Sequence, residues 1–248
     1  MDRSYWERIA PSYDDEIFDL LQNDKKALVR AELHKLASPD LTVMDAGCAI
    51  GKWLPVLSPA FKKVIAVDIS AKNLSIAEKK YPLLKNVEYK RANFSGKLPA
   101  LPACDVVICI NALLTSSLPE RKKFIAALSK VVKKNGTLIL TVPSLESSML
   151  TGIIGHQWKI DRALLDRKLK PAAASEKWKQ LRQGNADIDN VPTKHFLREE
   201  LELLFSQAGF RDLHFAKIEY DWTTEFRKPP VWLKEPRPWD WMMSAKRK

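Results

Sequence analysis

Cysteine is scarce in this chain, and long apolar runs are missing. Cys48, Cys104 and Cys109 are an odd number without metal-ligand spacing, so neither a disulfide framework nor a metal site is predicted, and we expect buried, reduced thiols. No apolar run approaches the ~20 residues needed to cross a bilayer, and residues 1–4 lack the basic-then-apolar pattern of a signal peptide. These absences predict a soluble, cytoplasmic protein without membrane association.

Glycine is also sparse, with 8 in 248 residues. Two of the eight, Gly47 and Gly51, lie between the short apolar runs Leu41–Met44 and Val64–Val67. Continuous runs of this composition are typical of parallel strands buried on both faces. Glycine between such strands indicates a sharp turn or a place where a ligand approaches the backbone.

The residue pattern of this turn distinguishes between two classes of nucleoside cofactor. A nicotinamide-binding turn reads G-x-G-x-x-G, whereas this chain reads Asp45-x-Gly47-x-x-x-Gly51 and carries a second acid, Asp68, after the next strand. The pattern resembles motif I, D/E-x-G-x-G-x-G, of the class I S-adenosylmethionine (SAM)-dependent methyltransferases. Ala49 stands where the middle glycine is usual, and its methyl group is a modest intrusion, so we expect cofactor binding to survive.

Further apolar runs alternate with helical patterns along the chain. Because strands and helices alternate, the sequence predicts a doubly wound α/β fold. Two closing strands without a helix between them, His214–Trp222 and Trp239–Ala245, predict an antiparallel hairpin at the sheet edge. The predicted fold is therefore a mainly parallel, seven-stranded sheet with an antiparallel C-terminal hairpin and a helical cap insertion, and the hairpin matches the reversed last strand of the methyltransferase fold.

Four segments are predicted on this basis. Residues 1–40 form an N-terminal helical lid, residues 41–144 the Rossmann-like SAM-binding core, and residues 195–248 the last helix and hairpin of the core. Residues 145–194 are not explained by the core pattern and are interpreted as a cap on the substrate side. Its helical stretch Asp161–Leu169 has too little apolar surface to stand alone.

The resemblance implies a set of cofactor-binding residues. Asp45 would lie near the methionine amino group, and Asp68 would bind the ribose hydroxyls, since a carboxylate accepts from both. Asn93 and Phe94 stand where the family recognises adenine, and Asn111 follows the fourth strand near the sulfonium. The full predicted set is Asp45, Ala46, Gly47, Cys48, Gly51, Asp68, Ile69, Asn93, Phe94, Asn111 and Ala112, with S-adenosylhomocysteine (SAH) as the product.

Catalytic groups are harder to predict. Methyl transfer from a sulfonium requires alignment and exclusion of water, and only sometimes a base. His156, His195 and Tyr13 are the candidate bases or polar groups. The segment Trp6–Tyr13 resembles the start of small-molecule methyltransferases, where a similar helix covers the site.

Net charge leaves alternatives open. The chain carries +11, and residues 41–144 hold 16 Lys and Arg against 6 Asp and Glu, which is compatible with a phosphate-tracking surface. Asn111-Ala112-Leu113-Leu114 departs from the Asn/Asp-Pro-Pro-aromatic turn of adenine amino-methyltransferases, so base methylation is less favoured. The first hypothesis is a SAM-dependent methyltransferase with a small-molecule acceptor. The alternatives are an RNA or protein methyltransferase and a SAM-binding protein without turnover.

Overall fold

Nine strands are present in the computed structural model, which describes residues 3–160, 171–188 and 191–248. In chain order they are β1 Ser38–Ala46, β2 Phe61–Asp68, β3 Val87–Arg91, β4 Cys104–Ile110, β5 Val132–Pro143, β6 Asn185–Ile188, β7 Val191–Lys194, β8 Phe210–Glu219 and β9 Trp239–Arg247. Seven of them form one sheet in the order β3-β2-β1-β4-β5-β9-β8, and β6 pairs separately with β7.

Ten α-helices accompany these strands in the described ranges. They are α1 Arg3–Ile9, α2 Tyr13–Glu16, α3 Leu20–Asn23, α4 Leu28–Leu36, α5 Leu54–Leu57, α6 Ala71–Lys80, α7 Leu118–Val131, α8 Leu145–Trp158, α9 Pro171–Arg182 and α10 Arg198–Gln207. As the sequence predicts, Ser70 caps α6, its hydroxyl oxygen accepting from the amide of Asn73 at 3.1 Å. No described helix combines the length and apolar character needed to span a bilayer.

The central strands are buried on both faces. Successive residues of β1, Val43 and Met44, belong to different apolar clusters on opposite sides of the sheet. Parallel pairing of β1 with β2 and β4 explains why these runs are continuously apolar rather than alternating. The same pairing brings the carboxyl ends of β1, β2 and β4 to one edge, which is where ligands bind in open α/β sheets.

The C-terminal strands run as the fold prediction requires. β9 pairs antiparallel with β5 on one side and with β8 on the other. The predicted fold class is therefore confirmed, including the reversed strand. In this register Asp240, near the start of β9, lies opposite Pro143 at the end of β5.

The segment after β5 contains more than helices. Besides α8 and α9 it holds the β6–β7 hairpin, which the sequence did not indicate, because its four-residue strands are too short for a clear alternating pattern. The hairpin is tied to the core through a bridge between Thr115 and Thr193 and through the bond from the Phe196 amide to the Pro143 carbonyl, 2.9 Å long. The predicted helical stretch Asp161–Leu169 lies outside the described residues.

One helix end differs from the sequence expectation. The apolar spacing of Phe124, Leu128 and Val131 in the sequence predicts a helix from Pro119 to Lys134 that Asn135-Gly136 ends. In the structure α7 ends at Val131 and β5 begins at once. Val132 is buried and pairs with Cys104. Asn135 adopts a left-handed φ of 61° and Gly136 follows it, so the Asn-Gly pair lies in an irregular part of the strand rather than at the end of the helix.

Candidate cofactor site

A pocket opens at the sheet edge where β1, β2 and β4 end, with an empty volume of about 710 Å³ that includes the solvent in its mouth. Its walls come from the N-terminal helices, from the segments that follow the first four strands, and from α7. The lining residues are Trp6, Tyr13, Gly47, Ala49, Asp68, Ile69, Ala92, Asn93, Phe94, Ser95, Ile110, Asn111, Ala112, Leu114, Thr115 and Phe124.

The turn after β1 approaches the opposite wall closely. Gly47 has φ 89°, and a Cβ placed on it would lie 2.3 Å from the Cβ of Ala112. Ala49 adopts φ 47°, a left-handed conformation that costs an L-residue about 1 to 2 kcal/mol. The close contact at position 47 and the left-handed backbone at position 49 explain why the motif has glycine at both positions. Ala49 keeps the left-handed conformation in spite of this cost, and its amide donates a hydrogen bond to Asp68.

Asp68 ends β2 and is 7% exposed. Its Oδ2 accepts from the Ala49 amide at 2.9 Å, and its Oδ1 accepts from the Ser70 amide at 2.8 Å and from Nδ2 of Asn73 at 3.3 Å. Burial raises the pKa of Asp68, while these three donors oppose the rise. A carboxylate accepts about four hydrogen bonds, so the remaining capacity lies at Oδ2.

Asp45 lies beneath the turn, near the end of β1, and is 1% exposed. Its Oδ2 has no hydrogen-bond partner in the part of the chain that the structure describes. Burial, and then the charge of Asp68, raises the pKa of Asp45 to about 8. Of this pair, Asp68 holds the charge because donors surround it, and Asp45 holds the proton.

The N-terminal helices form one wall of the pocket. Trp6 and Tyr13 line it with ring centroids 6.4 Å apart. Glu7 accepts from the Ala71 amide at 2.9 Å, at the start of α6, and Lys52 bridges Asp14 at 2.9 Å and Asp19. Burial, followed by the negative charge of Asp68, raises the pKa of the Tyr13 hydroxyl, which keeps it a neutral phenol at physiological pH.

The far end of the pocket follows β3. Phe94 stacks on Phe124, with centroids 5.1 Å apart and planes inclined by 26°. The side-chain oxygen of Asn93 accepts from the Ser95 amide at 2.9 Å. A flat aromatic wall beside an amide suits an aromatic ring with polar edges.

Asn111, directly after β4, adopts φ 46° and is held from two sides. Its Oδ1 accepts from the Thr141 hydroxyl at 2.9 Å, and its Nδ2 donates to Oδ2 of Asp240 at 2.8 Å. Both amide atoms are therefore oriented by side chains on other strands. Asp240 is buried, and burial raises its pKa to about 6 in spite of the bond from Asn111.

The two candidate histidines do not line this pocket. His156 is exposed on α8. His195 is buried between the hairpin and the core, its Nδ1 lies 3.0 Å from the Thr193 carbonyl, and burial lowers its pKa. The backbone beside it reaches the pocket wall, since the Lys194 amide donates to the Leu114 carbonyl at 3.0 Å.

The structure therefore brings together some predicted residues and not others. Those that line the pocket are Tyr13, Gly47, Asp68, Ile69, Asn93, Phe94, Asn111 and Ala112. Those that do not are Asp45, Ala46, Cys48, Gly51, His156 and His195. Sequence reasoning had no signal for Thr115, Phe124 or the contact of Asp240 with the pocket wall, because each depends on elements distant in the chain.

Comparison with known proteins places this pocket in context. Residues 43–136 match a family model described as a methyltransferase domain. A probable S-adenosylmethionine-dependent methyltransferase of Mycobacterium tuberculosis is 28% identical over 102 residues, covering 41% of this chain and 35% of that protein. The match thus spans about a third of the length of that relative.

Two further matches cover most of the chain. A demethylmenaquinone methyltransferase of Lactiplantibacillus plantarum is 24% identical over 225 residues, covering 87% of this chain and 90% of that protein. The crystal structure of a SAM-dependent methyltransferase from Anabaena variabilis superposes with a TM-score of 0.65 at 15% identity, covering 99% of this chain and 93% of that one. The structural likeness establishes the shared fold.

Proposed function

We propose that this chain, a member of the class I SAM-dependent methyltransferase family, transfers the methyl group of SAM to a small-molecule acceptor. The observation that carries the proposal is the pocket at the ends of β1, β2 and β4, with Asp68 in its wall beside the turn Asp45–Gly51. In this reading the first half of the sheet binds the nucleoside, and the face toward Asn111 receives the acceptor.

The residues present fit SAM. Asp68 retains capacity at Oδ2 for one ribose hydroxyl, and a second bond at Oδ1 would displace the long contact from Asn73. Asn93 and Phe94, which line the pocket, would hold the adenine. The unpartnered Oδ2 of Asp45 lies beneath the turn and off the pocket wall, so it would accept from the methionine amino group through water, and the positive charge there would favour loss of the Asp45 proton.

SAM supplies a methyl group on a sulfonium, which an acceptor lone pair displaces in line, leaving the bonding electrons on sulfur. The chain then has to orient the two molecules and exclude water. Trp6 and Tyr13 close one side of the pocket, while Asn111 and Ala112 form its floor. A base is not required for every acceptor, and a direct catalytic role for Tyr13, His156 or His195 stays a prediction.

A small molecule is the favoured acceptor because Trp6 of α1 and Tyr13 of α2 form one wall of the pocket, so the N-terminal helices enclose one side of it. The Lactiplantibacillus plantarum relative is named for a small-molecule acceptor, a demethylmenaquinone, which supports the same class here. An RNA or protein acceptor is a second candidate, favoured by the net charge of +11 and by an open depression beside the pocket that contains Arg3, Arg8 and Lys72.

The test is binding and turnover with Asp68→Ala. We expect calorimetry to show at least a tenfold loss of SAM affinity, the scale of a lost charge-assisted hydrogen bond. Asp68→Asn, which keeps one acceptor oxygen, should lose less. Asp40→Ala, an exposed acid at the opposite end of β1, is the matched control and should bind as the parent chain does.

Three outcomes would change the proposal. Unchanged SAM affinity in Asp68→Ala would remove the cofactor site from this pocket. SAM binding without SAH formation for any acceptor would indicate a binding protein without turnover. Retention of mixed RNA at low salt, lost steeply as salt rises, would favour the macromolecular acceptor.

A further inference from the structure

A second group of buried polar side chains lies behind the pocket wall. Asp240, at the start of β9, is 4% exposed, and Glu225 and Tyr220 from the connection between β8 and β9 are close to it in the interior. The Tyr220 hydroxyl is paired with Glu225 and with Ser147 of α8. None of these groups belongs to the motif that identified the cofactor site.

Asn111 joins this group to the pocket. Its side chain lines the pocket, and its Nδ2 donates to Asp240 at 2.8 Å. The Thr141 hydroxyl holds the amide oxygen at 2.9 Å, so the amide cannot turn without breaking one of two bonds. The Asp240 carboxylate therefore stands one hydrogen-bonded side chain away from the pocket interior.

The described part of the chain pairs no cation with these acids. Among the ion pairs of the described residues, none includes Asp240 or Glu225. Lys217 on the neighbouring strand β8 instead places its Nζ over the Trp239 ring, 3.7 Å from the centroid. Burial raises the pKa of Asp240 to about 6, and burial together with the Asp240 charge raises the pKa of Glu225 to about 7.

A buried carboxylate without a cation is costly, and a positive charge brought nearby recovers part of that cost. At pH 7.5, which is above its pKa of about 6, Asp240 is mostly ionised, and the hydrogen bond from Asn111 favours that charged form. The proposed function places the acceptor on the face toward Asn111, and the sulfonium of SAM has to meet the acceptor there.

We propose that Asp240, acting across Asn111, gives the pocket a preference for the positively charged sulfonium of SAM over the neutral thioether of SAH. The inference rests on the proposed function. Asp240 touches neither ligand and is a positioning and electrostatic residue. Because methyl transfer removes the positive charge from sulfur, the preference would favour exchange of product for fresh SAM.

Calorimetric titration with SAM and with SAH at pH 7.5 tests this without an acceptor. Asp240→Asn removes the charge and keeps an oxygen facing Asn111. We expect it to weaken SAM by about tenfold, the scale of one charge acting over several ångströms of protein, and to change SAH by less than twofold. Asp105→Asn removes the same charge from the opposite end of β4 and should change neither.

Thr141→Val separates charge from positioning, because it frees the Asn111 amide oxygen and leaves the Asp240 carboxylate in place. We expect its effects on SAM and SAH to be equal. A selective loss of SAM in Thr141→Val, or equal losses of both ligands in Asp240→Asn, would overturn the inference.

The affinities of the unsubstituted chain for SAM and SAH provide a test that does not depend on how the variants fold. The inference predicts tighter binding of SAM than of SAH, and tighter binding of SAH would contradict it. Binding of neither ligand would defeat the proposed function itself, and binding of both with equal affinity would defeat the sulfonium preference alone.

Discussion

Asp68 and Asp240 are buried carboxylates beside the same pocket, but their partners lie at different distances along the chain. Asp68 binds groups 2, 5 and 19 residues away, whereas Asp240 binds an amide 129 residues away. The neighbours of Asp240 follow the same rule, since the Trp239 amide donates to Ser147 over 92 residues and the Trp241 indole to Glu146 over 95. The half of the site around Asp68 and the turn Asp45–Gly51 is therefore held by contacts close in sequence, and the half around Asn111 and Asp240 is assembled from distant segments.

This difference explains what a motif can reveal. A turn whose hydrogen bonds close within 20 residues imposes residue types at fixed spacing, so it can be recognised in one sequence. Hydrogen bonds between residues about 90 to 130 positions apart impose no fixed spacing that a sequence motif could record. The half around Asn111 and Asp240 is accordingly the part that no sequence motif reveals.

The largest expected difference is in the change of the free energy of unfolding when a glycine of the turn and a glycine of α8 are each replaced by alanine. Gly47→Ala places a methyl group 2.3 Å from Ala112 at a left-handed φ of 89°, and we expect a loss of about 3 kcal/mol in the free energy of unfolding. Gly152→Ala in α8 meets no atom within 4 Å and should gain about 0.5 to 1 kcal/mol. Urea unfolding measures both, and similar values for the two would contradict the contrast.

The two halves should differ in the pH range over which they change the free energy of unfolding. An acid whose pKa is higher in the folded than in the unfolded state binds more protons when folded, so stability falls as pH rises between the two values. For Asp45 this window runs from 3.8 to about 8, and for Glu225 from 4.5 to about 7.

Unfolding at pH 5.5 and 7.5 is the measurement. We expect Asp45→Asn to remove a decline of at most about 1.4 kcal/mol per pH unit, and Glu225→Gln to remove a smaller decline that ends near pH 7. Asp40→Asn, an exposed acid, should leave the profile unchanged. An Asp45→Asn or Glu225→Gln profile as steep as that of the unsubstituted chain would show that folding does not raise the pKa of the acid replaced.

The smallest expected effect tests whether backbone strain acts on the pocket only from within the turn Asp45–Gly51. Ala49 and Ala27 have left-handed φ values of 47° and 52°, and glycine at either position should raise the free energy of unfolding by about 1 kcal/mol. Only Ala49 lines the pocket, so only Ala49→Gly should alter SAM affinity. An equal change of affinity in Ala27→Gly would mean that backbone strain acts on the pocket from a distance.

Most of the fold could be predicted because its signals are local. The runs containing Val43 and Val64 are apolar since both of their faces are covered, and Ser70 has the residue type of a helix cap. The exceptions are also physical. Val132 could join a helix or a strand by pattern, and its pairing with Cys104 decided for the strand.

The sequence by itself determined the turn, the two acids at the ends of β1 and β2, and the alternation of strands and helices in the core, because each depends on contacts between near neighbours in the chain. Only the tertiary structure decided that Asp45 is covered while Asp68 reaches the pocket, that His156 and His195 lie off its wall, and that Asp240 meets Asn111. Those outcomes depend on how β9 inserts beside β5 and how the helices close over the sheet edge, which no spacing of residues records.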